Sequence, residues 1–309
     1  MSLEDPVVIT CSISGAIANR EQCPAIPYTP EEYAAEARRI VDEGGVMIHI
    51  HARKPDGTPS YEIEDFAAIT DAIRAEVGDA AIINFSTGTI GVPLSKRIEY
   101  LRACRPEVAA LNMGSMNYAK YSRSRKGFVF SMVFQNPFEE IIELLQAMNE
   151  LGIKPEHECF DLGHVGSLAP LIDMGVLKTP LHVDCVMGVV GGVPPTARNL
   201  AAMADNIPAN APGEQRSHWG VIGVSRDQWM LVSAALTLGG SIRVGLEDNL
   251  YLPDGTMAKS NGELIAKARQ MTEDVGRRPA TVQEARAMLD IPQRGADADA
   301  AAATRGATA

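Results

Sequence analysis

Along this chain eight short apolar runs alternate almost throughout with segments of helical spacing, and that alternation constrains the fold more than any other feature. The runs fall at residues 7–13, 46–51, 81–85, 108–113, 156–160, 181–186, 219–224 and 241–246. Helices are expected near residues 30–42, 63–77, 137–151, 165–174, 197–206, 228–238 and 262–275. The first has a well-marked start, with Thr29 as N-cap, Pro30 at the first helical position and Glu31 and Glu32 in the first turn; Gly44-Gly45 ends it. A closed (β/α)8 TIM barrel and a long doubly wound sheet both satisfy the pattern. The barrel is favoured because polar residues sit at the C-terminal ends of many strands: His49 and His51, Ser86, Asn112 and Ser115, Glu158, Glu247 and Asp248. A barrel gathers those ends around one mouth, whereas an open sheet strings them along an edge. No Gly-x-Gly-x-x-Gly follows the first strand, and no Walker loop occurs.

At 309 residues the chain suits a single barrel, read here as one domain over residues 1–292 with an Ala-rich tail at 293–309. No stretch offers about 20 uninterrupted apolar residues, so no membrane span is expected. The opening Met1-Ser2-Leu3-Glu4-Asp5 is acidic, unlike a secretory leader, and a cytoplasmic location follows. Cys11, Cys23, Cys104, Cys159 and Cys185 are odd in number and widely spaced, the pattern of reduced thiols. A net charge of −11 argues against nonspecific nucleic-acid binding but leaves room for an anionic small substrate, since local cations can dominate one cleft.

His49-Ile50-His51 places two imidazoles on one face of a strand, about 6.6 Å apart along the chain. That spacing lets both converge on one ion with metal–nitrogen distances near ~2.1 Å; two half-exposed histidines would look the same. The last strand and its continuation, Ser241-Ile242-Arg243-Val244-Gly245-Leu246-Glu247-Asp248-Asn249, add weight. Arg243, Gly245 and Glu247 fall on one face, with Gly245 leaving room between the charged side chains. Charges facing a barrel interior are costly unless paired or metal-bound. Glu247 offers a third ligand and an open fourth position for water or substrate, with Zn²⁺ preferred for two nitrogen donors. Asp248 lies where it can reach back to Arg243, and an ion-pair network is the alternative reading of these charges.

From about residue 7 to residue 289 the chain resembles the β-keto acid cleavage enzymes. The likeness is carried by Ser14-Gly15-Ala16, Pro27-x-Thr29-Pro30-Glu31-Glu32, His49-Ile50-His51-x-Arg53, Ser86-Thr87-Gly88, Leu111-Asn112 and Pro155-Glu156-x-Glu158. Gly188-Val189, Gly191-Gly192 and Arg243-x-Gly245-x-Glu247-Asp248-Asn249 complete it. Each motif is weak alone; their order and spacing are specific. The resemblance implies a zinc-dependent enzyme that converts a β-keto acid and acetyl-CoA into acetoacetate and a new acyl-CoA, and it suggests a homotetramer. It implies His49, His51 and Glu247 as metal ligands and Arg243 with Asp248 as the dyad that assists proton removal. It makes Ser86 and Ser115 substrate contacts, the latter position usually Thr. A Lewis acid at the β-keto oxygen would favour the enolate, and no protein nucleophile is needed.

Two positions depart from the family's type member: Ile17 stands where it has a Glu that holds a substrate ammonium group, and Thr89 where Gly is usual. Both bear on the substrate rather than the reaction. Glu158 ends the fifth strand, placed either to anchor substrate or to make a structural hydrogen bond. His164 and His182 read as core or supporting residues. The 191–196 loop, Gly-Gly-Val-Pro-Pro-Thr, is either an anion-holding turn or a plain connection. Two other functions fit parts of the pattern. An amidohydrolase-type hydrolase also begins with His-x-His, but usually on its first strand and with a bridging Lys, where the fourth strand here has Ala109-Ala110-Leu111-Asn112. A non-catalytic barrel that binds a carboxylated metabolite is the third possibility.

Overall fold

The computed structural model describes residues 2–210 and 212–293. Among the described residues ten strands occur in chain order: β1 (Ile9–Ser12), β2 (Met47–Ile50), β3 (Ile82–Phe85), β4 (Val108–Asn112), β5 (Met116–Ser122), β6 (Gly127–Phe134), β7 (Lys154–Cys159), β8 (His182–Met187), β9 (His218–Gly223) and β10 (Ser241–Val244). Eight of them close into a parallel barrel, β1-β2-β3-β4-β7-β8-β9-β10, with β10 pairing back to β1. This is the (β/α)8 architecture the alternation predicts, and all eight expected runs supply its staves. The remaining pair, β5 and β6, forms an antiparallel hairpin inserted after β4, which the sequence reading did not anticipate.

Ten α-helices accompany them: α1 (Pro30–Asp42), α2 (Ile63–Val77), α3 (Leu94–Cys104), α4 (Phe138–Leu151), α5 (Leu162–Gly166), α6 (Leu168–Asp173), α7 (Ala197–Asp205), α8 (Gln228–Thr237), α9 (Asn261–Asp274) and α10 (Val282–Met288). Thr29 caps α1 in a full capping box with Glu32, as its sequence signals require. Helix α3 was not expected: it starts at Pro93 without a side-chain cap, and a buried Arg97 interrupts its apolar stripe. The helix expected at 165–174 is two short ones, because Pro170 has no N–H to continue the ladder across Ser167.

Strand side chains alternate, and the two faces have different fates. Outward residues such as Cys11, Ile48, Ile50, Ile83, Phe85, Leu111, Val183 and Val244 pack beneath the helices in the main core. Inward residues change character along the barrel axis. At the N-terminal end Val8, Met47, Ile82 and Val108 form an apolar floor, closed by Ala285, Leu289 and Ile291 at α10. One step up, the same strands present Thr10, His49 and Asn84, so the floor gives way to a polar interior. The five cysteines are free, four buried and Cys104 partly so. Among the described residues no helix is long and apolar enough to cross a membrane. The expected tail lies outside the described residues from residue 294 onward.

Candidate active site and metal centre

Register sets the site. In neighbouring strands Ser12 lies opposite His49 and His49 opposite Asn84, so three polar side chains line up across β1, β2 and β3. His51 follows β2 and points the same way as His49, their rings 5.3 Å apart and nearly edge to face. On the other side of β1, β10 delivers Arg243 and then ends at Val244, two residues short of the expected boundary. Glu247 therefore stands in the turn beyond the strand rather than on its face. Its backbone N–H donates to Ser12 O at 3.2 Å, and those of Asp248 and Asn249 donate to Gly245 O, which folds both acids back over the mouth.

Gly245 has a different role from the spacing one expected for it. Its φ is 152°, and a Cβ there would lie 2.1 Å from the carbonyl oxygen of Ser12, so the residue permits close approach of β1. Gly15 does the same from the other side: with φ of 63°, a Cβ would meet Glu247 Cγ at 2.6 Å. Arg53 secures that β1–α1 loop through the carbonyls of Ser14, Gly15 and Ala18, and is itself held by the Gly57 carbonyl of its own β2–α2 connection.

Three ligand-type groups converge. His51 Nε2 is 3.3 Å from Glu247 Oε1, and His49 Nε2 is 3.8 Å from Glu247 Oε2. One ligand atom from each lies within 4.8 Å of the others. Ligand atoms around a tetrahedral ion with bonds near 2.0–2.1 Å sit about 3.3 Å apart, close to the two imidazole–carboxylate separations here. Glu247 Oε1 already accepts from Arg243 Nη2 at 2.8 Å, while Oε2 is buried with no hydrogen-bond partner, a lone-pair donor left over for a cation. Burial, followed by the Arg243 charge, holds the His49 imidazole well below its usual range and therefore neutral, the form that coordinates. Burial opposes ionisation of Glu247, but His51, Arg243 and His49 outweigh it and hold the carboxyl below the ordinary range. The residues present fit a divalent metal.

Arg243 is the hub of the rest. It is 3 % exposed and donates from Nε to Asp248 Oδ2 (2.9 Å), from Nη2 to Asp248 Oδ1 (3.0 Å), and from Nη1 to Glu158 Oε1 (3.1 Å). The two-point clamp on Asp248 is the planar match of guanidinium to carboxylate. Ser12 Oγ donates to Asp248 Oδ2 at 2.5 Å. Burial nevertheless raises the Asp248 carboxyl above its ordinary range, Arg243 opposing and Glu247 reinforcing. Burial likewise pushes Glu158 up to about 7, against the pull of Arg243. Glu158 thus makes the hydrogen bond that the sequence left as one of two options.

Other expected residues lie around this group. Ser86 is buried, its Oγ accepting from Gly88 N at 3.2 Å, and Thr89 follows, half-buried. Ser115 Oγ accepts from Asn136 N at 2.7 Å. Ile17 is 59 % exposed on the β1–α1 loop. His164 packs against Gly114 and takes the Phe160 N–H at 3.2 Å. In the 191–196 loop the N–H groups of Gly192, Val193 and Thr196 bond to Val189, Phe160 and Pro194 carbonyls. Its backbone is thus engaged in holding the loop, and the plain connection is the better description.

Sequence reasoning missed Ser12, Asn84, Glu156 and Asp184. Asn84 Nδ2 donates to Glu156 Oε2 at 2.8 Å. Glu156 lies 3.8 Å from both His49 and His182, and His182 Nε2 is 3.2 Å from Asp184. The available signal was the period-two pattern itself: Asn84 on β3 and Ser86 just beyond it alternate as Glu156 and Glu158 do on β7.

A family model described as beta-keto acid cleavage enzyme matches residues 6–291. The chain is 35% identical over 287 residues to the 3-keto-5-aminohexanoate cleavage enzyme of Acetoanaerobium sticklandii, covering 93% of this chain and 99% of that one. It is also 35% identical over 308 residues to the 3,5-dioxohexanoate:acetyl-CoA acetone transferase of Paraburkholderia graminis, covering 94% and 97%. Among solved structures, the apo structure of ObcA superposes with a TM-score of 0.72 at 20% identity, covering 87% of this chain and 66% of that chain; this supports the fold.

Proposed function

Because the chain belongs to the beta-keto acid cleavage enzyme family, we propose that it exchanges acyl groups between a β-keto acid and acetyl-CoA at the mouth described above. The products are acetoacetate and the acyl-CoA of the substrate's remaining portion. The observation that carries this reading is one arrangement: an open three-ligand cluster of His49, His51 and Glu247, directly beside a buried carboxylate clamped by Arg243. Relatives named as acetyl-CoA-dependent transferases support it. A bound Zn²⁺ would act as a Lewis acid towards the β-keto oxygen.

The chain's own groups do the rest. Asp248 removes a proton from the carbon between carbonyl and carboxylate, and burial makes it a stronger base than a carboxylate in water. Arg243 and Ser12 hold it in one orientation. The new carbon nucleophile attacks the acetyl thioester, the thiolate of CoA leaves and adds to the substrate's own acyl carbon, and cleavage of the original C–C bond releases acetoacetate. Glu158, with a carboxyl near neutrality, is placed to give or take a proton in that sequence. Ser86, Thr89 and Ser115 are the proposed substrate contacts. We take residues 1–292 as one domain, the oligomer as a homotetramer and the location as cytoplasm, following the sequence reading.

Ile17 bears on the substrate. It offers neither charge nor an acceptor, so a keto acid with an alkyl, short neutral, carboxylated or quaternary-ammonium tail fits better than a primary amine, whose burial without a partner costs several kcal/mol. A panel of β-keto acids assayed for acetyl-CoA-dependent acetoacetate release tests both points. Activity on an unsubstituted β-keto acid above that on 3-keto-5-aminohexanoate is expected. A clear preference for the amine overturns the reading of Ile17, and silence across the panel overturns the reaction.

A further inference from the structure

The hairpin of β5 and β6 is unexplained by the chemistry above. Its segment 116–134 carries Lys120, Arg123, Arg125 and Lys126 and no acidic residue, in a chain of net charge −11. All four cations are exposed and cluster at the tip. Among the described residues none of them has an ion-pair or side-chain hydrogen-bond partner. Like charges crowded together without counter-charges are unfavourable, and a polyanionic ligand removes that cost.

The hairpin's base belongs to the catalytic mouth. Met116 and Phe134 pack with Phe160, Val186, Val189 and Ile222 at the C-terminal ends of β7, β8 and β9. Phe134 Cζ lies 3.7 Å from the Cβ position of Gly88, beside Ser86. The Tyr118 hydroxyl is pushed up to about 12, first by burial and then by the charges of Glu247, Asp248 and Glu158. The base is also fixed: Ala119 N donates to Val190 O at 3.2 Å, and only a glycine fits at 191, where a Cβ would lie 1.7 Å from Asn117 O. From Met116 to Ser122 the strand runs about 20 Å. The hairpin therefore joins the reacting centre to a cationic tip at a distance comparable to the arm of a long thioester. Beside the cations, exposed Tyr121 and Phe128 meet edge to face at 5.7 Å, an aromatic surface for a purine.

We infer that the β5–β6 hairpin is the coenzyme A subsite: its tip binds the 3′-phosphate and diphosphate, and its inner strand guides the pantetheine arm to the mouth. This rests on the proposed use of acetyl-CoA. The test compares full-length wild type with Lys120→Gln/Arg123→Gln/Arg125→Gln/Lys126→Gln by calorimetric binding of coenzyme A, dephospho-coenzyme A and pantetheine. Steady-state KM values and sedimentation are measured on the same samples, and Arg123→Gln/Arg125→Gln serves as a milder variant. The four-site variant should bind coenzyme A at least about tenfold more weakly, and the milder one by an intermediate factor. KM for acetyl-CoA should rise in parallel while KM for the keto acid holds. Wild type should prefer coenzyme A over its dephospho form, the variant should lose that preference, and pantetheine should not distinguish the proteins. Unchanged coenzyme A affinity overturns the inference, including the case where the variants change only oligomer size because the tip meets another copy of the chain. Acetoacetate release by a variant with unchanged affinity sinks the subsite and leaves the reaction. Hairpin-dependent coenzyme A binding without cleavage of any keto acid sinks the reaction and leaves the subsite.

Discussion

Two polar clusters share the interior of this barrel, and their residue types are almost the same. The upper one holds His49, His51, Glu247, Arg243 and Asp248; the lower one holds Glu156, His182 and Asp184, with His218 against His182 and His157 on the outer face of β7, bonded to the His182 carbonyl. Ligand-type atoms in each lie within 4.8 Å of one another, so composition and spacing alone do not tell them apart. Access and charge do. His51 and Glu247 have side chains 15 % and 18 % exposed, whereas those of Glu156, His182 and Asp184 are 0 %, 2 % and 8 % exposed. The upper cluster contains Arg243, which offsets its acids. In the lower one, burial followed by Asp184 and Glu158 pushes the Glu156 carboxyl well above its usual range. Asp184 is held at about 2, the hydrogen bonds from His182 and Glu156 overriding burial. The lower acids thus face each other and buried imidazoles with no cation among them, while the upper cluster has Arg243 and, in His51 and Glu247, ligands at the opening.

The sharpest way to break this contrast is Glu247→Gln, which keeps shape and removes the anionic ligand. Metal analysis should show loss of the ion, with turnover falling about 10⁴-fold or more. A variant that retained both metal and activity would make the upper cluster as structural as the lower. Next in size is Asp248→Asn, expected to keep metal and fold while kcat drops about 10²- to 10⁴-fold. Wild-type turnover in that variant would move proton transfer elsewhere, with Glu158 the first alternative.

The third effect concerns stability and belongs to the lower cluster and its surroundings. Burial drives the His157 and His218 imidazoles down to about 3, so the folded protein holds both neutral. The unfolded chain takes up a proton at each near pH 6.5, and the folded one only near pH 3. Stability is therefore intact above pH 6.5 and is lost as pH falls towards 3, by about 1.4 kcal/mol per pH unit for each histidine. Urea titrations across pH 7 to 4 should show this slope, and His218→Gln should flatten it; an unchanged slope would mean that the site is not sealed. The smallest effect is expected from Glu156→Gln, since an amide keeps the shape of a carboxyl that burial already pushes towards its neutral form. Metal content should hold, with kcat/KM within about threefold of wild type.

Strand count and order were legible because every stave is a short apolar run bounded by a helix, and His49-Ile50-His51 was legible because period two is rigid. Glu247 was found as a residue but misplaced, since nothing local shows that β10 ends at Val244 and turns back. Ser12 and Asn84 were not found because a single polar residue inside an apolar strand has no distinctive pattern; only the register opposite His49 gives it meaning. The hairpin escaped because its alternation is interrupted by the bulge between Lys120 and Tyr121 and by a basic tip that reads as a loop.

The central claim, that the upper cluster holds the catalytic metal, is tested most directly by titrating Zn²⁺ into chelator-stripped protein while following acetoacetate release from a β-keto acid and acetyl-CoA. The account predicts almost no activity at the start and a rise that levels off at one ion per chain. Full activity in the stripped protein, with zinc confirmed absent, would contradict it.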